Sequence, residues 1–186
     1  RKGKTMHKDI QEILFNEEEI AQIVKGIAKQ ISEDYKDKNL LLVCVLKGSV
    51  CFMADLMREI SIPLKIEFLR AKSYLAGSTE SAGSVEVRSE IDHLEEYDVV
   101  VVEDIFDTGR TLQKVKEKML LDGAKSVRCC SLLDKPERRS ENVNLTLDYI
   151  GKKIPNAFVV GYGLDFDENY RGLPYVGILK PEAYGG

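Results

Sequence analysis

The sequence predicts an α/β fold, a mainly parallel central sheet flanked by helices, and three observations carry that reading. Val99 to Val102 is a run of four valines, apolar toward both faces of the pleat as a strand covered on both sides must be. Leu40 to Leu46 (LLLVCVL) is a second run of the same kind. Between and after these runs apolar residues recur at helical spacing, so strand and helix alternate along the chain until the C-terminal third.

At 186 residues the chain suffices for one domain with a full core. A formal net charge of −4 argues against a general nucleic-acid binder, which needs a basic face to neutralise phosphates. No apolar run approaches the roughly 20 residues that span a bilayer, and RKGKTMHKDI lacks the apolar core of a signal peptide. The expected place is therefore the cytoplasm, with no membrane partner. The sequence leaves open whether Arg1 to Thr5 are native, Met6 being a candidate start. Cys44, Cys51, Cys129 and Cys130 lie in apolar contexts without zinc-ligand spacing and read as reduced core residues. His7 and His93, the only histidines, offer little material for a triad or a multi-histidine metal site and read as surface residues.

In order along the chain, Asn16 with Glu17, Glu18 and Glu19 marks a helix start, an Asn cap with Glu19 placed to bond back. Ile20, Ile23, Val24, Ile27, Ala28 and Ile31 then form one apolar face. The strand Leu40 to Leu46 ends in Lys47, Gly48 and Ser49 before an amphipathic helix over about Val50 to Glu59. Such a turn puts amides and a helix N-terminus within reach of an anion, although an ordinary strand-to-helix turn looks the same. Leu64 to Tyr74 and Ser84 to Glu90 alternate as half-buried strands do; Leu75 to Gly83 between them is either a long hairpin or a lid over a site. After the valine strand a helix runs from Leu112 to about Leu121, with Gly123 as its C-cap. Val127 to Leu133 is a strand ending at Asp134, Lys135 and Pro136, and Glu137 to Asn142 reads as a surface loop. Leu147 to Ile150, Phe158 to Tyr162 and Val176 to Leu179 are short strands, expected in a small subdomain beside the main sheet.

The chemistry concentrates after the valines, in Glu103, Asp104, Ile105, Phe106, Asp107, Thr108, Gly109, Arg110 and Thr111. The carboxyl end of a buried parallel strand is where open α/β sheets bind ligands. Asp107 to Thr111 offers consecutive amides, two hydroxyls and a helix N-terminus, suited to a dianionic phosphate, and Gly109 permits a tight turn. Neither GxxxxGK[ST] nor GxGxxG is present, so the phosphate belongs to a smaller ligand than a nucleoside triphosphate or dinucleotide. Glu103 and Asp104 are hard oxygen donors of the kind that hold Mg²⁺ bridged to sugar hydroxyls or diphosphate. On an extended backbone the two point to opposite sides, and a loop would turn both inward.

The segment EDIFDTGRT resembles the motif that binds 5-phosphoribosyl diphosphate (PRPP) in type I phosphoribosyltransferases. The turn Leu46 to Ser49, the loop start Lys72-Ser73-Tyr74, the Asp134-Lys135-Pro136 corner, and Phe158 to Asp165 continuing to Arg171 narrow the likeness to the bacterial-type hypoxanthine-guanine phosphoribosyltransferases, over about Ile13 to Pro181. The resemblance implies one type I phosphoribosyltransferase domain over 1–186, with a small hood formed by the N-terminal segment and about 145–186. It implies transfer of the phosphoribosyl group from PRPP to hypoxanthine or guanine, as a homodimer or homotetramer, with Mg²⁺ as cofactor.

Carried over residue by residue, the family implies that Asp107, Thr108, Gly109, Arg110 and Thr111 bind the 5-phosphate. Glu103 and Asp104 would hold the ribose hydroxyls and a Mg²⁺. Asp107 would be the catalytic acid or base at purine N7. Lys47, Gly48 and Arg171 would contact the diphosphate, and Lys135, Phe158, Val159 and Asp165 the purine, Asp165 also helping to hold a second Mg²⁺. Ser73 and Tyr74 would begin a flexible loop closing over the site, and a non-proline cis peptide is expected at Leu46-Lys47. Two other classes remain open from sequence: a PRPP-sensing regulator on the same fold, and a transferase for another acceptor such as xanthine or a pyrimidine.

Overall fold

The computed structural model of the chain describes residues 6–73, 85–88 and 91–185. In order come β1 (Ile10–Phe15), α1 (Glu17–Asp34), β2 (Leu40–Leu46), α2 (Val50–Glu59), β3 (Leu64–Ser73), β4 (Val85–Arg88), β5 (Asp98–Phe106), α3 (Arg110–Leu121), β6 (Ser126–Asp134), β7 (Tyr149–Lys153), β8 (Val159–Val160) and β9 (Val176–Leu179). A six-stranded sheet runs in the order β4-β3-β2-β5-β6-β7. Its strands are parallel except β4, which pairs antiparallel with β3 at one edge. The valine strand is interior: Val99 to Val102 lie opposite Leu41 to Cys44 on one side and Val127 to Cys130 on the other.

The two-residue period of these strands divides the core. Leu40, Leu42, Cys44, Val100 and Val102 pack with α1 and α2, whereas Leu41, Val43, Val45, Val99 and Val101 pack with α3. The capping box of α1 forms as its sequence predicts, Glu19 N–H donating to Asn16 and Asn16 N–H to Glu19, both at 2.9 Å. Helix α3 ends on Gly123 in the left-handed region, where Ala124 N–H bonds Met119 and Gly123 N–H bonds Leu120, both at 3.1 Å. It begins at Arg110, one half-turn before the apolar periodicity starts, so Arg110 and Thr111 belong to its first turn.

A second sheet of order β1-β9-β8 is antiparallel and has its own small core of Ile10, Val160, Tyr175 and Leu179. One expectation is corrected here. The strand read at Leu147 to Ile150 forms instead over Tyr149–Lys153 and joins the main sheet beside β6, because Tyr149 is buried against α1 while the lysines suit an exposed edge. Strand β1 carries no clear alternation, with only Ile10 buried, and becomes a strand by pairing with β9.

Cys44, Cys129 and Cys130 are buried and Cys51 half-buried, all free. His93 is exposed, but His7 is half-buried, edge-on to Tyr170. Among the described residues no helix is long and apolar enough to cross a membrane. Ser73 closes β3, while Tyr74 and the connection expected to act as a lid lie outside the described residues.

Candidate active site

The carboxyl ends of β2 and β5 meet at Gly48. The Leu46-Lys47 peptide is cis, as the family likeness implies, and the chain then passes so close to Asp104 that a Cβ on Gly48 would lie 1.6 Å from Asp104 Oδ2. From the hood, Gly163 at φ +101° approaches the same turn; its Cβ would fall 2.0 Å from the Gly48 carbonyl. Only glycine allows both approaches. A cavity of about 420 Å³ opens here, with Gly48, Glu103, Asp104, Asp107, Thr108, Gly109, Thr111 and Asp165 in its walls.

Glu103 and Asp104 are the next-to-last pair of β5 yet reach one cavity, because it caps the strand end instead of covering one face. Burial pushes the Glu103 carboxyl well above its ordinary range, and the Asp104 charge beside it adds to the effect. Burial raises Asp104 as well, opposed by the Ile105 N–H, which donates at 2.7 Å, and by Arg171. A buried and a half-buried acid side by side are a donor set that fits a hard cation. Among the described residues no cluster of three or more His, Cys, Asp or Glu forms a cage, and Mg²⁺ commonly takes only one or two carboxylates beside substrate oxygens.

The loop expected to bind phosphate, Asp107 to Thr111, follows. Gly109 at φ +82° is the N-cap of α3 and provides no side-chain cap, which leaves the first amides of the helix to a ligand. Its Cβ would lie 2.8 Å from Val143 and 2.9 Å from Phe106, so the loop is packed from behind. Arg139 supports it most directly. The guanidinium covers the Phe106 ring at 3.2 Å, donates to the Asp107 carbonyl at 2.7 Å and pairs with the buried Asp134. Asp107 Oδ1 has an ionic contact with Arg138 at 3.3 Å but no hydrogen bond, an unmet acceptor in a buried position.

Toward the hood, Lys135 is buried, donates from Nζ to the Ala157 carbonyl at 2.8 Å and is bonded through its backbone to Phe106 at 3.0 Å. Burial lowers its ammonium below the ordinary lysine range, with Asp107 opposing. Phe158 is 38% exposed. It stacks on Tyr184 at 5.1 Å and meets Phe166 edge-on at 5.5 Å. Val159 is buried, with Ile178 as its ladder partner. Arg171 pairs with Asp165 at 2.9 Å and donates to the Gly163 carbonyl at 2.8 Å, and its Nε has no hydrogen-bond partner.

Glu103, Asp104, Asp107, Thr108, Gly109, Thr111, Gly48 and Asp165 therefore share one cavity. Lys135, Phe158 and Val159 lie along the adjoining hood, and Lys47 and Arg171 are joined through Glu168. Arg110 is exposed on the first turn of α3 and does not line the cavity, an orientation the loop pattern could not give. The loop read as surface from Glu137 to Asn142 is corrected at Arg139, which folds back under the phosphate loop. Arg139, Gly163, Glu168 and Tyr184 escaped the sequence reading. The only local signal among them was the glycine repeat in GYGLD.

The phosphoribosyl transferase domain model matches residues 11–167. A hypoxanthine-guanine phosphoribosyltransferase of Staphylococcus epidermidis is 47% identical over 180 residues, which cover 96% of this chain and 99% of the relative. Among solved structures, a hypoxanthine phosphoribosyltransferase from Staphylococcus aureus matches with a TM-score of 0.90 at 43% identity, covering 100% of both chains. A Trypanosoma cruzi hypoxanthine phosphoribosyl transferase, described for the role of its C-terminal region in oligomeric state and activity, matches at 39% identity and a TM-score of 0.87 over 96% of each chain. With its parallel sheet, its cavity at the strand ends and this similarity over nearly the whole length, the chain belongs to the phosphoribosyltransferase family, in the group of the hypoxanthine-guanine phosphoribosyltransferases.

Proposed function

We propose that this chain transfers the 5-phosphoribosyl group of PRPP to hypoxanthine or guanine, giving IMP or GMP and diphosphate in a Mg²⁺-dependent reaction of purine salvage. The observation that supports this most is the single cavity shared by the acid pair, the phosphate loop, Gly48 and Asp165. The amides and hydroxyls of Asp107 to Thr111, at the N-terminus of α3, hold the 5-phosphate. Glu103 and Asp104 orient the ribose hydroxyls, and with Asp165 they would hold Mg²⁺, which when bound neutralises diphosphate charge. Lys47, the Gly48 turn and Arg171 receive the departing diphosphate.

Asp107 is the general base. Its carboxylate takes the purine N7 proton as N9 attacks C1 and the bond to diphosphate breaks, an effect typically worth about 10²- to 10⁴-fold. Lys135 exchanges the Ala157 carbonyl for the 6-oxo group of the base. An amino group at that position would leave the buried ammonium facing a donor, which disfavours adenine. Phe158 presents a ring for stacking and Val159 lines the purine edge.

The likeness to the family supports a cytoplasmic homodimer or homotetramer, which sedimentation would test. The activity is tested by a spectrophotometric assay with PRPP, Mg²⁺ and a panel of hypoxanthine, guanine, xanthine, adenine and uracil. Turnover is expected with hypoxanthine and guanine and lost on chelation of the metal. No turnover with any purine overturns the reading.

A further inference from the structure

The diphosphate side of the site holds a carboxylate of its own. Lys47 Nζ lies 2.9 Å from Glu168 Oε2, and Arg171 Nη2 lies 3.3 Å from Glu168 Oε1. Each oxygen thus faces one of the two cations assigned above to the leaving group.

The backbone that presents Glu168 is unusual for this residue type. Phe166 and Asn169 exchange backbone hydrogen bonds of 3.2 and 2.9 Å, and Asp167 and Glu168 between them have φ of 48° and 62°. Positive φ at both central residues marks a type I′ turn, which favours Asn and Gly and suits glutamate poorly. Asp165 secures the arrangement: its Oδ2 accepts the Glu168 N–H at 2.9 Å while its Oδ1 pairs with Arg171 at 2.9 Å. A residue ill-suited to its turn, held between two cations, points to a use for its carboxylate beyond the turn.

We propose that Glu168 is a positioning residue for the diphosphate leaving group: its carboxylate bridges Lys47 and Arg171 before PRPP arrives, yields them to the diphosphate, and takes them back as product leaves. This rests on the transferase reading above. Glu168 and Lys47 side chains are 63% and 52% exposed, so their pair is weak and easily exchanged. A diphosphate, with more charge and more acceptor oxygens, displaces one carboxylate. The returning carboxylate then competes against rebinding and keeps product from being trapped.

The test is calorimetric titration of the full chain with inorganic diphosphate in MgCl₂, for wild type, Glu168→Gln and Glu168→Gly, with wild-type turnover of hypoxanthine measured in parallel. Both variants should bind diphosphate about fivefold more tightly, the competitor having been removed, and diphosphate product inhibition should tighten by the same factor. A merely structural turn residue predicts the opposite for Glu168→Gln, weaker or unchanged binding, with Glu168→Gly behaving as wild type. Wild-type turnover with unchanged or weaker diphosphate binding in both variants overturns the role of Glu168 alone. Absence of wild-type turnover overturns the transferase reading and this proposal together.

Discussion

Gly48 and Asp104 stand so close that no side chain fits between them: a Cβ on Gly48 would lie 1.6 Å from Asp104 Oδ2. The turn after β2 is thereby set directly against an acid near the end of β5, which ties the proposed diphosphate and ribose contacts into one unit.

Gly48→Ala must displace either the turn or the carboxylate. A misplacement of about 1 Å costs on the order of 10²-fold in rate, so kcat/KM for PRPP should fall by about that factor. Circular dichroism should show the secondary structure intact, since the contact lies at strand ends and outside the core. Near-normal kinetics in this variant would mean that the close approach is not needed for the reaction.

Asp107→Asn keeps the loop's amides and its size but removes the proton acceptor. Turnover is expected to fall by about 10²- to 10⁴-fold while PRPP affinity changes little. Steady-state kinetics with direct PRPP titration separates the two. Equal losses in turnover and affinity would assign Asp107 a binding role only.

Arg139 carries three contacts under the phosphate loop, with Phe106, Asp134 and the Asp107 carbonyl. Arg139→Ala leaves the Asp134 carboxylate buried without its cation, a change that costs about 3 kcal/mol in comparable buried pairs. The melting temperature should drop, and IMP affinity should weaken even at temperatures where the variant is folded. Arg139→Lys, which keeps the charge but loses the planar fork, should recover stability in part.

Lys135 supplies a pH dependence. Its ammonium is disfavoured by burial, so it loses its proton at lower pH than an exposed lysine, whose pKa is about 10.4. Hypoxanthine affinity that needs this ammonium should therefore decline as pH rises, on a limb starting below the ordinary lysine range. In Lys135→Arg, which stays charged, that limb should disappear from the KM profile. Folding stability should respond with the opposite sign. Between the lowered and ordinary pKa values the unfolded chain binds the extra proton, so this group's contribution rises with pH.

Signals that lie within a few residues of one another were legible. The capping box of Asn16 and Glu19, the Gly123 terminus of α3 and the valine strand all depend on local spacing, and the structure forms each of them. The phosphate loop belongs to the same class, because strand, turn and helix start are contiguous from Glu103 to Thr111. Strand β7 was misassigned because its own pattern is half polar, and only pairing with β6 draws Gly151 to Lys153 into the sheet. Arg139 and Glu168 were illegible for a related reason: a charged residue in a polar stretch looks solvated until the fold brings its partners to it.

By itself the sequence determined the α/β class, the order of the main elements and the strand-turn-helix stretch from Glu103 to Thr111, since periodicity, caps and turn residues are local preferences of the chain. Tertiary structure alone decided that Glu103, Asp104 and Asp165 share a cavity, that Gly48 and Gly163 close on one turn, and that Glu168 lies between Lys47 and Arg171. Those relations join segments far apart in sequence. They exist only once burial of the sheet has fixed where the strand ends stand.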